Sequence, residues 1–182
     1  MQSLRIKLAA AVAVLGAAAV GTAAIAHDRS RFAAGLTGFE EVPTLSTDGS
    51  GFFKATIHRD QIRYTLHYRG PFNAAPEGGT VTQAHIHLGA RAVNGAISAF
   101  LCSNLGNGPA GTPACPAAPA TVTGVITPLQ VIGPGAQGIA AGEFGELVRA
   151  LRAGAAYANV HTTTFAGGEI RGQISDDDGR KH

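Results

Sequence analysis

The stretch Gln61-Ile-Arg-Tyr-Thr-Leu-His-Tyr68 sets Ile62, Tyr64, Leu66 and Tyr68 against Arg63, Thr65, His67 and Arg69 in strict alternation. A period of two sends successive side chains to opposite faces, so this is a half-buried antiparallel strand with His67 on the polar side. Phe52 to Ile57 precedes it across the tight His58-Arg59-Asp60 connection and reads as its partner. Working outward, Phe32 to Gly38 is a first strand. It is broken by Glu40-Glu-Val-Pro-Thr44, where proline cannot donate to a sheet ladder, and the turn cluster Ser46 to Gly51 follows. Downstream, Val81 to Leu88, Ala96 to Leu101, Thr121 to Thr127, Ala156 to Thr162 and Glu169 to Ser175 read as strands. Asn94-Gly95 marks a turn, and Phe165-Ala-Gly-Gly168 joins the last two strands as a hairpin. Between Phe144 and Gly154 the period changes: Leu147, Val148 and Leu151 recur at helical spacing, Arg149 and Arg152 lie outside, and Gly154 stops the helix. Seven or eight short strands with one short helix predict an all-β fold, an antiparallel β-sandwich. There is no internal repeat and no second domain boundary.

The chain of 182 residues is one domain by length. Residues 1–26 run from a short basic head (Arg5, Lys7) through an unbroken apolar tract to Ala24-Ile25-Ala26, a small-x-small pattern just before His27-Asp28-Arg29-Ser30. This reads as a cleaved export signal. The domain then spans 27–175, a polar tail expected to fray spans 176–182, and the protein is expected in the periplasm or secreted. Loss of Arg5 and Lys7 takes the net charge of +2 to about zero. A neutral surface argues against nucleic acid, or a membrane after signal cleavage, as the main partner. A metal ion or an extracytoplasmic protein is expected instead.

The two cysteines, Cys102 and Cys115, bracket a segment too rich in Gly and Pro to hold itself in place. In an oxidising compartment a bridge between them would pin that loop. A redox-active or copper-binding thiol pair is the alternative, but the spacing is not that of a CxxC motif.

Thr82-Gln-Ala-His-Ile-His-Leu-Gly89 carries the chemistry. His85 and His87 stand two residues apart on a strand and leave the same face, where two imidazoles can share a metal. His161, in Tyr157-Ala-Asn-Val-His-Thr162, is a third candidate. Three neutral imidazoles with an open position suit Cu(II) or Zn(II), and the absence of thiolate and methionine ligands argues against Cu(I). His27, if cleavage exposes its amine, and His67 are further candidate ligands. Thr82, Gln83, Asn159 and Glu169 are candidate acceptors for the second ring N–H. Without a metal, the same histidines would anchor the sandwich edge by bonding backbone carbonyls. Glu169 and Arg171 share a strand face and read as structural, pairing with each other or holding the His161 loop. Glu40 and Glu41 form a carboxylate pair conceivable for glycosidase chemistry. No Gly-x-Ser-x-Gly, phosphate loop or dinucleotide fingerprint is present.

Leu36-Thr-Gly38 with Glu41-Val-Pro43, Gly49-x-Gly51, Ala84-His-Ile-His87, Asn94-Gly95, Leu147 to Gly154, Tyr157-x-Asn-Val-His-Thr162 and Gly168-Glu-Ile-Arg-Gly-Gln173 follow one another over nearly the whole mature chain. In these segments the chain resembles the CHRD domain, named after the repeats in chordin and also found singly in exported bacterial proteins. The resemblance implies an immunoglobulin-like or superoxide-dismutase-like sandwich and leaves the biochemical role undefined. The insert between Cys102 and Cys115 departs from the shortest version of the pattern. The reading is therefore an exported, non-enzymatic binding module holding one Cu(II) or Zn(II) through His85, His87 and His161. One rival is a copper redox metalloenzyme with superoxide-dismutase-like chemistry, although the bridging histidine and aspartate of a two-metal dismutase are not found. Another is a purely structural adhesion domain.

Overall fold

A computed structural model describes residues 30–72 and 80–177. The export signal read over residues 1–26, His27 and the end of the polar tail lie outside the described residues. In chain order the elements are β1 (Arg31–Thr37), β2 (Ser50–His58), β3 (Gln61–Arg69), β4 (Val81–Leu88), β5 (Ile97–Ser103), β6 (Ala120–Ile126), α1 (Phe144–Arg152), β7 (Ala156–Thr162), β8 (Ile170–Gln173) and the two-residue β9 (Ser175–Asp176).

The alternation in β3 is realised residue by residue: Ile62, Tyr64, Leu66 and Tyr68 are buried, and Arg63 and Arg69 are exposed. Every pairing is antiparallel, in the spatial order β5-β4-β7-β8-β1-β2-β3-β6, with β9 added to β1. The two ends of this path approach one another. Ala99 of β5 bridges Val131 just beyond β6, and the Tyr64 hydroxyl of β3 crosses the interior to donate to the Leu101 carbonyl at 2.6 Å. The fold is all-β with one short helix, as expected, and the sheet is continuous, curled into a nearly closed barrel around one apolar core. On α1, Leu147, Val148 and Leu151 enter that core and the arginines do not.

Cys102 and Cys115 are bonded, with Cα atoms 5.1 Å apart. The loop between them is better held than its composition suggests. Asn104 donates to the carbonyls of Val81 and Cys115 and accepts from the Cys115 N–H. The last described residues are tied to the sheet. Asp176 pairs opposite Phe32 and the Asp177 N–H donates to the Arg31 carbonyl, because β1 leaves edge groups free beyond its short contact with β8.

Candidate metal centre

Strands β4 and β7 build the site by simple alternation. Ala84 and Ile86, with Ala158 and Val160, enter the core, so His85 and His87, with Tyr157, Asn159 and His161, take the other face. The register sets Gln83 opposite His161, His85 opposite Asn159 and His87 opposite Tyr157, and β8 adds Arg171 opposite Asn159. Cross-strand pairs share a face and stand within contact distance. Residues 76 apart in sequence therefore meet. Two loops, 38–49 and 89–96, lie over this outer face, and even here β7 is buried along its whole length. His85 is 0 % exposed, His87 7 % and His161 5 %, and one nitrogen from each lies within 4.8 Å of the others.

Hydrogen bonding fixes where the protons sit. A carbonyl oxygen only accepts, so His87 Nδ1–H donates to Gly95 O at 2.9 Å and His161 Nδ1–H to Ala166 O at 3.0 Å. The Nε2 of each neutral ring is then a bare lone pair. His161 Nε2 stands 3.0 Å from His85 Nδ1, which must carry the donated hydrogen. This leaves His85 Nε2 and His87 Nε2 as buried acceptors with no partner among the described residues. Burial, the largest cause, pushes the His85 pKa down to about 2 and the His87 pKa to about 4, with neighbouring imidazoles adding to the shift, and it lowers His161 too. The three rings are held neutral, the state in which imidazole ligates metal.

These three residues could hold a metal ion. Two ligand nitrogens at Zn–N distances of ~2.0–2.1 Å stand about 3.3 Å apart in tetrahedral geometry. The 3.0 Å approach of His85 to His161 is already near that value, and the ligand nitrogens of all three rings lie within 4.8 Å of one another. Nδ1–H on a backbone carbonyl is the usual outer support for a ligating histidine. Gly95 is indispensable to that support: a Cβ there would stand 1.6 Å from the Leu88 carbonyl.

The surrounding shell is aromatic and ionic. Phe100 meets the His85 ring edge-on at 4.5 Å, and Tyr157 stacks on His87 at 4.8 Å with the planes 6° apart. The Arg171 guanidinium lies 3.5 Å from the Tyr157 ring centroid and donates to Asn94 Oδ1 and to the carbonyls of Ala90 and Val93. It thereby ties the 89–96 loop to the sheet. Glu169 accepts from the hydroxyls of Thr47 and Thr162, both at 2.6 Å, and so ties down the 38–49 loop.

Glu41 takes part in a different way. It is buried, and that burial pushes its carboxyl up to about 7 against the pull of Arg171, the Val42 N–H and the Asn159 amide, with Glu169 adding to the rise. Glu41 Oε1 and Asn159 Oδ1 are both buried without a partner, yet they lie 2.7 and 2.6 Å from the point where a Cβ on Gly168 would stand. With its carboxyl pushed up to about 7, a protonated Glu41 would bring a hydrogen-bond donor beside Asn159. Only glycine, at φ +129°, leaves room for it.

The structure thus gathers His85, His87 and His161 and leaves His67 elsewhere, stacked on Phe52 and bonded to Thr121 on the outer face of β3. The expected side-chain acceptors are not the ring partners. Thr82 donates to the His161 carbonyl, Gln83 accepts from Asn107, Asn159 faces Glu41 and Glu169 takes the threonines. Backbone carbonyls in two turns serve instead. Glu40 and Glu41 do not form a pair: Glu40 is half-exposed, bridged to Arg91 at 2.6 Å. Tyr157 and Phe100 escaped the sequence reading. For Tyr157 the signal was available, since it shares the face of Asn159 and His161 by alternation.

No curated protein and no solved structure matches the chain. The family model for the CHRD domain matches residues 32–174, a span that begins in β1, ends just past β8 and takes in all three histidines, and the chain therefore belongs to the CHRD domain family.

Proposed function

We propose that this CHRD domain is an exported metal-binding module that holds one Cu(II) or Zn(II) ion through His85, His87 and His161. The observation that carries the reading is the buried convergence of three neutral imidazoles, with His87 Nε2 unpartnered, His161 Nε2 3.0 Å from His85 Nδ1, and the Nδ1–H of His87 and His161 held by backbone carbonyls. A buried acceptor left without a donor costs about 1–3 kcal/mol, which an ion at His87 Nε2 would offset. Bound there, the ion would supply a Lewis acid and, as copper, a redox centre. His87 and His161 would offer Nε2 with no change of proton, because Gly95 and Ala166 already hold their Nδ1–H. His85 would ligate through Nδ1 after moving its hydrogen to Nε2. Arg171, Glu169 and the Glu41–Asn159 pair keep both loops over the rings and exclude water. Export is supported by the apolar leader and by a disulfide of the kind that persists under oxidising conditions.

The test is metal content. Protein purified without a histidine tag, incubated with Zn(II) or Cu(II) and desalted, should retain about one ion per chain, and His85→Ala/His87→Ala less than a tenth of that. Equal content in the two proteins ends the proposal.

A further inference from the structure

The outer face of β1-β2-β3-β6 lies away from the histidine site and plays no part in it. Its rows follow from the pairing: Arg31, Thr56 and Arg63 stand side by side, then Ala33, Lys54 and Thr65, then Gly35, Phe52 and His67, then Thr37, Ser50 and Arg69, with threonines of β6 extending two of the rows. None of the described outward residues of these four strands is acidic, and Arg31, Lys54, Arg63 and Arg69 make no ion pair among the described residues. Asp48 and Asp60 lie in the turns and Asp176 in β9, while Asp177, whose N–H donates to the Arg31 carbonyl, continues the β9 register opposite Arg31 at the edge of the face. A net charge of only +2 thus conceals a face whose four strands carry outward cations and no outward acid.

In the middle of that surface Phe52 and His67 stack at 5.1 Å, with Lys54 5.7 Å from the Phe52 centroid. Phe52 is 41 % exposed, so part of its ring is open to solvent beside the cations. Strands lie about 4.8 Å apart and rise about 3.3 Å per residue, so the cations spread over roughly 10 by 20 Å. They cannot converge on one small anion. What they fit is an extended polyanion.

We propose that this face binds an anionic polysaccharide bearing carboxylate or sulfate groups. Arg63 and Arg69 present planar forks to such groups, the exposed part of the Phe52 ring receives the apolar side of a sugar, and the threonine hydroxyls meet its hydroxyls. A bilayer would call for a broad apolar stripe, and here only Phe52 and Val125, in separate rows, are exposed large hydrophobics among the cations. Single-stranded nucleic acid is held by a succession of aromatic platforms in a groove, and this flat face has one.

The test titrates the full chain with polygalacturonate and with dextran sulfate, which separate the two kinds of anion, and with uncharged dextran, an oligo-dT strand and phosphatidylglycerol vesicles. Binding to at least one polyanionic glycan that weakens with added salt is expected, with a tenfold or greater loss in Lys54→Glu/Arg63→Glu. Arg149→Glu, on the outside of α1, should bind as the unaltered chain does. Lys54→Gln/Arg63→Gln should fall between, and thermal melts of each variant confirm folding. Failure to bind either glycan, equal binding by the charge-reversed variant, or tighter binding to the oligonucleotide or the vesicles overturns the proposal.

Discussion

At the scale of single residues, protons decide how this protein answers pH. Glu41 has a folded-state pKa near 7 against an ordinary 4.5, so between those values the folded chain holds a proton the unfolded chain has lost. Its contribution to stability is complete below about pH 4.5 and lost as pH rises through about 7. His85, His87 and His161 act oppositely: their pKa values are depressed from 6.5, so their contribution is complete above that value and lost as pH falls. Three groups outweigh one, and stability should climb from pH 5 to 6.5 with Glu41 offsetting about one proton of the slope. Glu41→Gln supplies the missing donor to Asn159 permanently. It should steepen the climb by about 1.4 kcal/mol per pH unit, read from urea unfolding at half-unit steps. Parallel profiles for the two proteins would show that Glu41 is ionised in the fold.

Among the elements, strands were the most legible feature, because alternation survives in the letters: β3 and β4 begin where the pattern begins and end within one residue of it. That His85 and His87 share a face followed from the same rule. What the letters could not carry was adjacency. Glu41 reads as a twin of Glu40, yet the segment after β1 turns one carboxylate to solvent and the next into the sheet. The acceptors at Gly95 and Ala166 are backbone atoms, which every residue possesses, so no side chain advertised them. The disulfide loop shows the same limit, since Asn104 supplies a clasp that composition hides. That clasp shapes a prediction. Cys102→Ala/Cys115→Ala should lower stability by about 3 kcal/mol, mostly through a freer unfolded chain, while Asn104 keeps the native loop in place. Unchanged urea midpoints, or loss of the native loop in proteolysis, would count against this division.

For the molecule as a whole, the curl of the sheet determines what a bound ion would do. The path runs β5-β4-β7-β8-β1, so the three imidazoles sit on two central strands drawn from distant parts of the chain. Unfolding separates them by 76 residues and destroys the site. An ion held by all three therefore binds the folded state almost alone, and its affinity appears as stability. At a free concentration one hundred times Kd the gain is about 2.7 kcal/mol, which in a domain of this size raises Tm by roughly 5–10 °C. The shift should grow with the logarithm of metal concentration and vanish in His161→Ala. That substitution also removes the acceptor of the His85 hydrogen, so its starting Tm should be lower. The informative quantity is the metal-induced increment on each protein's own baseline. An equal increment in His161→Ala would mean that the ion sits elsewhere, and no increment in either would leave the buried rings as a purely structural cluster.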